Sequence, residues 1–282
     1  MNPTKDQVKL FYSQALQRCL DAFAQLDDKE WAKKVSEFTA KEHLAQLVST
    51  TESETLPLSR QAIAGEKASI PGFETRADTI PFRAAAMTEV KDLPVSELLE
   101  RLRSGVSEHI AMLDGISEED LDKPTQSPGW DRPGTIRDLF FAGYLFLPGQ
   151  YQDIRKANKK KLPHWVESGT PDQVNFQIGR IFHYMPLIYR SDKGADMKDT
   201  YQFTMEGDGG GQWSLAIADG RADTTDGEAS EHDIEIKTKP NLWIDLTTGE
   251  LNAPMAIMTR KVKIGGNAGL AMKLSDLFSA EG

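Results

Sequence analysis

Five histidines, a single cysteine and an excess of carboxylates define the side-chain chemistry open to this chain. His43, His109, His164, His183 and His232 are scattered, and none repeats at the short separation, as in H-E-x-x-H, that sets two metal ligands on one helix face. Cys19 recurs with Leu16, Leu20 and Phe23 at helical spacing, which predicts a core thiol and not a nucleophile. Asp219, Asp223 and Asp226 miss the alternation of a calcium loop and read as acidic hairpin turns. No G-x-S-x-G elbow offers an activated serine. The glycine pair Gly265-Gly266 in "TRKVKIGGNAGLAMKLSDLF" lacks the spacing and the lysine of a phosphate loop. The helix behind it says more: Leu270, Ala271, Leu274, Leu277 and Phe278 share one face and Lys273 and Asp276 the other, so something apolar lies beneath.

The elements that hold these residues fall into two halves. Apolar spacing from Val8 to Leu26 predicts a long amphipathic first helix. Thr39 with Glu42 three residues on forms a capping box for a second helix, "FTAKEHLAQLVS". A third runs through "VSELLERLRSGVSEHIAML" with Ser96 as its cap, and a fourth from about Thr135 to Ala157, while residues 52–91 read as partly irregular. Four helices with one long connection describe a bundle. The charged, Pro- and Gly-containing stretch "NKKKLPHWVESGTPD" marks the boundary: a bundle at 1–160, a linker at 161–171 and a second domain at 172–282. One more helix, "QVNFQIGRIFHYMPLIYR", precedes a change to period two at Tyr201, Phe203 and Met205, then at Trp213, Leu215 and Ile217, then at Ile234 and Ile236. "EGDGGGQ" and "ADGRADTTDGE" read as hairpin turns, "PNLWIDLTTG" and "APMAIM" as short helices, and "RKVKI" as a last strand. The whole is α+β, the second half a mostly antiparallel sheet with helices on one face.

A net charge of −10 over 282 residues disfavours nucleic acid as partner. The longest apolar run, from Leu139, is shorter than the roughly 20 residues of a spanning helix, so no integral membrane association is expected. "MNPTKDQ" lacks a signal-peptide start, which makes a cytoplasmic location the expectation.

Residues 199–278 resemble the sterol carrier protein type 2 fold, through the strand with Trp213, the Asp219-Gly220 turn, "LTTGELNAPMAIM" and the strand reaching Gly265-Gly266 ahead of "LAMKLSDLF". That resemblance implies a tunnel between sheet and helices for an apolar or amphipathic molecule of lipid, sterol or acyl type. Met205, Trp213, Trp243, Met255, Met258, Leu274 and Phe278 are its candidate lining, because Met and aromatic side chains adapt to irregular ligands.

"EWAKKVSEFTAKEHLAQLVS" and "YLFLPGQYQDIRKA" resemble the DinB-like bundle of mycothiol-dependent maleylpyruvate isomerases, over about residues 5–158. The resemblance puts that family's His, Glu and His metal ligands at Gln46, Phe146 and Gln150, which are poor or impossible zinc donors. No metal and no cofactor is therefore expected. A divalent ion, or a low molecular weight thiol, belongs to the alternative. The expected function is binding of a hydrophobic small molecule in the C-terminal tunnel, with the metal-free bundle forming part of the pocket. The alternative is an isomerase or thiol-dependent transferase with its site between the domains, for which His43, Asp153 and Arg155 are the candidate catalytic groups.

Overall fold

The computed structural model describes residues 3–159 and 161–278, so the bounds expected at residues 1, 160 and 282 lie outside the described residues. The chain divides between His164 and Trp165 into two compact units.

The N-terminal unit is built on α1 (Lys5–Phe23), α2 (Ala40–Thr50), α3 (Leu56–Ile63), α4 (Thr79–Val90), α5 (Val95–Met112) and α6 (Ile136–Ala157). Capping boxes start three of them: Thr4 with Gln7, Thr39 with Glu42 and Thr135 with Asp138. The expected Ser96 cap is displaced, because Pro94 with its fixed φ ends the loop and Val95 opens the helix. The segment read as partly irregular contains two helical stretches. A π-helical turn, Thr51–Thr55, carries α2 into α3 without a break, and α4 follows further on. Ion pairs from distant helices hold the polar π turn: Arg83 of α4 grips Glu54 through two bonds of 2.8 and 2.9 Å, and Arg101 of α5 pairs with Glu52. Cys19 is fully buried on α1, donates to the Leu147 carbonyl at 3.3 Å, and has its thiol pushed up to about 12 by burial. It is inert at neutral pH.

The C-terminal unit contains α7 (Pro171–Tyr184), β1 (Asp199–Met205), β2 (Gly211–Ala218), β3 (Arg221–Asp226), β4 (Ile234–Thr238), α8 (Pro240–Thr247), α9 (Ala253–Met258), β5 (Lys263–Gly266) and α10 (Ala268–Leu277). The sheet order is β3-β2-β1-β4-β5. All neighbours are antiparallel except β1 and β4, where Phe203 pairs with Ile236 in parallel register. Two details differ from the sequence reading. "RADTTD" is itself a strand, β3, joined to β2 by a turn at Asp219-Gly220, where both residues have positive φ. The last strand begins at Lys263, because Arg260 takes a left-handed conformation (φ 58°) and turns the chain before it.

One sheet face is apolar. Tyr201, Phe203, Trp213, Leu215, Ile217, Ile234 and Ile236 are buried against Val174, Ile178 and Phe182 of α7, Trp243 and Ile244 of α8, and Leu270 and Leu277 of α10. On the other face Gln202 is buried yet satisfied: its amide donates to the Phe203 and Trp213 carbonyls and accepts from Ala229 N at 2.8 Å. That bond ties the β3–β4 crossover down.

Candidate functional sites

Within the bundle, α2 and α6 bring Gln46, Phe146 and Gln150 around one pocket, together with Thr50 at the end of α2, Thr51 and Thr55 of the π turn and Val106 of α5. The pocket measures about 10 Å³, room for about one water. Gln150 Nε2 donates to Gln46 Oε1 at 3.3 Å, and Gln150 Oε1 lies 2.8 Å from His43 Nδ1. The Ser36 hydroxyl lies 3.1 Å from the other ring nitrogen, Nε2. The guanidinium of Arg83 covers the Phe146 ring at 4.9 Å. Because Gln150 Oε1 only accepts, His43 carries its proton on Nδ1, and the neutral ring accepts from Ser36. Burial lowers the His43 pKa, and the Asp153 carboxylate, 3.8 Å away, offsets only part of that.

These donors do not suit a divalent ion. The two neutral amides already bond to each other, Gln150 also bonds His43, and the third position is a phenyl ring. Among the described residues no three His, Cys, Asp or Glu side chains converge as a metal-holding group. His43 and Asp153 are brought together, but Asp153 pairs with Lys156 at 2.8 Å and not with Arg155. Arg155 instead donates to the Leu162 carbonyl at 3.2 Å, tying the end of α6 to the chain that follows.

His109, one of the scattered histidines, is buried in the bundle as well. His109 is wholly enclosed, with Tyr12 Oη at 3.1 Å from Nδ1, Ser59 Oγ at 2.8 Å from Nε2 and its ring stacked on Phe140. Desolvation drives its pKa down to about 3, so it is neutral throughout the ordinary range.

In the C-terminal unit Phe182 is sandwiched between Trp213 and Trp243, at ring centroid distances of 5.0 and 5.1 Å. Phe203 meets Trp243 edge-on at 5.3 Å. Met205 is buried with them, and Leu274 and Phe278 of the closing segment pack on the same core. Trp243 Nε1 and Gln177 Oε1 are buried with no hydrogen-bond partner among the described residues. Met255 and Met258 do not join this interior: they are 60% and 84% exposed, and the residue that α9 turns inward is Ala256. Their expected place in the lining is corrected accordingly.

Residues 189–279 match the SCP-2 sterol transfer family. The C-terminal unit contains an SCP2 domain. The curated relatives are 35% identical over 79 residues, for hydroxysteroid dehydrogenase-like protein 2 of Xenopus tropicalis, and 34% over 148 residues, for that of Bos taurus. These alignments take in 28% and 49% of this chain but only 19% and 35% of the relatives' own length. Among solved structures, the mycothiol-dependent maleylpyruvate isomerase aligns over 86% of this chain and 88% of its own, with a TM-score of 0.57 at 9% identity. That is a likeness of fold, and it extends beyond the SCP2 domain into the helical unit. No helix among the described residues is long and apolar enough to cross a membrane.

Proposed function

We propose that the SCP2 domain binds an apolar or amphipathic molecule of lipid, sterol or acyl type between its sheet and helices α7, α8 and α10. The observation that carries this reading is the aromatic interior itself. Phe203, Trp213 and Trp243, which lie within the residues that match the sterol transfer family, pack with Phe182 of α7 into one aromatic, apolar layer. A ligand would enter by parting the helices from the sheet, exchanging aromatic contacts for contacts with its own chain. Each methylene it buries contributes about 0.8 kcal/mol.

The unpaired Trp243 N–H supports an oxygen-bearing ligand over a pure hydrocarbon. A buried donor without an acceptor costs free energy that a ligand hydroxyl or carbonyl would recover. In the bundle, Gln150 bonds both Gln46 and His43, and the pocket that the two glutamines line has room for about one water, which supports the SCP2 domain as the ligand's place.

Native mass spectrometry of the freshly purified chain tests this. A bound mass in the lipid or sterol range that leaves on organic extraction, and that the stripped protein takes up again, is the expected result. A stripped protein that takes up neither an acyl nor a sterol probe overturns the reading.

A further inference from the structure

From Leu251 to Ser275 the chain has no carboxylate and four cations, Arg260, Lys261, Lys263 and Lys273, although Asp and Glu outnumber Lys and Arg by 43 to 33 overall. The same stretch holds three large apolar side chains that stand in solvent: Met255, Met258 and Met272, at 60%, 84% and 49% exposure. Every other exposed large hydrophobic residue among those described, Leu10, Ile63 and Ile80, belongs to the bundle. Met255 and Met258 are three residues apart on α9 and therefore share a face. The left-handed Arg260 then turns the chain so that three cations follow within five residues of Met258. All four cations are exposed. The neighbouring acids cancel them only in part: Glu235 is held by Lys237 at 2.8 Å, Glu206 stands 3.9 Å from a Lys263 that remains 68% exposed, and exposed Asp276 offsets only Lys273, which shares its face of α10.

We infer that the segment from α9 to α10 is a docking surface for an anionic lipid bilayer. Protruding, unbranched methionines beside lysines suit a bilayer surface. The apolar tips enter the acyl boundary at any orientation while the cations meet the headgroup phosphates. A protein partner would instead have to supply pockets shaped to each methionine. The net negative charge of the whole chain does not prevent this contact, because beyond about 8 Å physiological salt screens the distant carboxylates. This inference stands on exposure and charge alone and does not depend on the ligand-binding reading.

Flotation of the whole, ligand-free chain with phosphatidylcholine vesicles, with and without phosphatidylglycerol, tests it. Binding is expected only where phosphatidylglycerol is present, and it should fall as salt is raised. Lys261→Glu with Lys263→Glu, or Met258→Asp, should weaken it on the order of tenfold or more. Ile80→Asp, an exposed site in the bundle, should leave it unchanged. Thermal melting of each variant separates loss of docking from loss of fold, and a melted variant is replaced by Met258→Ser. No binding to anionic vesicles, equal binding to neutral ones, or equal weakening by Ile80→Asp overturns the inference. So does a dimer in sedimentation velocity that Met258→Asp dissociates, since a second copy would then occupy the surface.

Discussion

His43 Nδ1 donates to Gln150 Oε1 across 2.8 Å, which fixes the imidazole of α2 to the amide of α6. Charge at this site would be costly, because His43 is buried and its pKa is lowered by desolvation. Replacing Gln150 by Leu removes the acceptor and leaves a buried N–H. The expected loss is about 1–3 kcal/mol of stability in urea denaturation. Gln150→Glu should act in the opposite electrostatic sense, so that the His43 imidazole titrates at higher pH by NMR than in the parent. A Gln150→Leu variant as stable as the parent would mean that the His43 contact contributes nothing.

Burial of neutral His109 makes the bundle sensitive to acid. Its folded pKa, about 3, lies below the unfolded value of about 6.5, so between those two values the unfolded chain binds the proton and the folded chain does not. Stability should therefore fall as pH drops through that window, by up to about 1.4 kcal/mol per pH unit from this residue. Lowering of the His43 pKa works in the same direction. The slope of unfolding free energy against pH should be shallower in His109→Gln than in the parent. Equal slopes would show that His109 is charged in the folded state.

Gly143 is where α6 passes the Tyr12–His109 pair. A Cβ there would stand 2.5 Å from Tyr12 Oη and 3.1 Å from the His109 ring. Gly143→Ala should push the two apart and cost about 1–3 kcal/mol in spite of alanine's better helix propensity. Thermal melting would reveal this, and an unchanged or raised midpoint would contradict it.

Trp243→Phe keeps the stack on Phe182 and deletes only the unpaired N–H. If a ligand oxygen uses that donor, affinity for a long-chain alcohol or acid should fall roughly five- to tenfold, the worth of one hydrogen bond. Affinity for a hydrocarbon of equal length should not change. Equal effects on both ligands would show that the indole acts only through packing.

Much of the architecture could be read from the chain. Thr39 with Glu42 and the long 3.6-residue stripes give the bundle, and the alternation at Tyr201, Phe203 and Met205 gives the sheet's apolar face. Alternation states which face is buried but not which strand is adjacent, so the parallel pairing of Phe203 with Ile236 was not legible. The π turn was not legible either. "TESET" is polar, and what holds it helical is Arg83 and Arg101, 29 and 49 residues away from the acids they grip. Gln46, Phe146 and Gln150 were reached through resemblance, while Thr50, Thr55 and Val106, which share their pocket, carried no signal of their own. Met255 and Met258 were misplaced for a simple reason. In a six-residue helix, apolar type alone does not say which side faces in, and small Ala256 is the residue that packs.

The most direct test of the central claim is a chain-length series: affinity of the ligand-free protein for saturated acyl probes of increasing length, followed by quenching of tryptophan fluorescence. An interior that takes up the chain predicts affinity rising about fourfold per added methylene until the space is filled, the equivalent of about 0.8 kcal/mol each. Affinity independent of length, or no quenching at any length, would contradict a lipid-binding SCP2 domain.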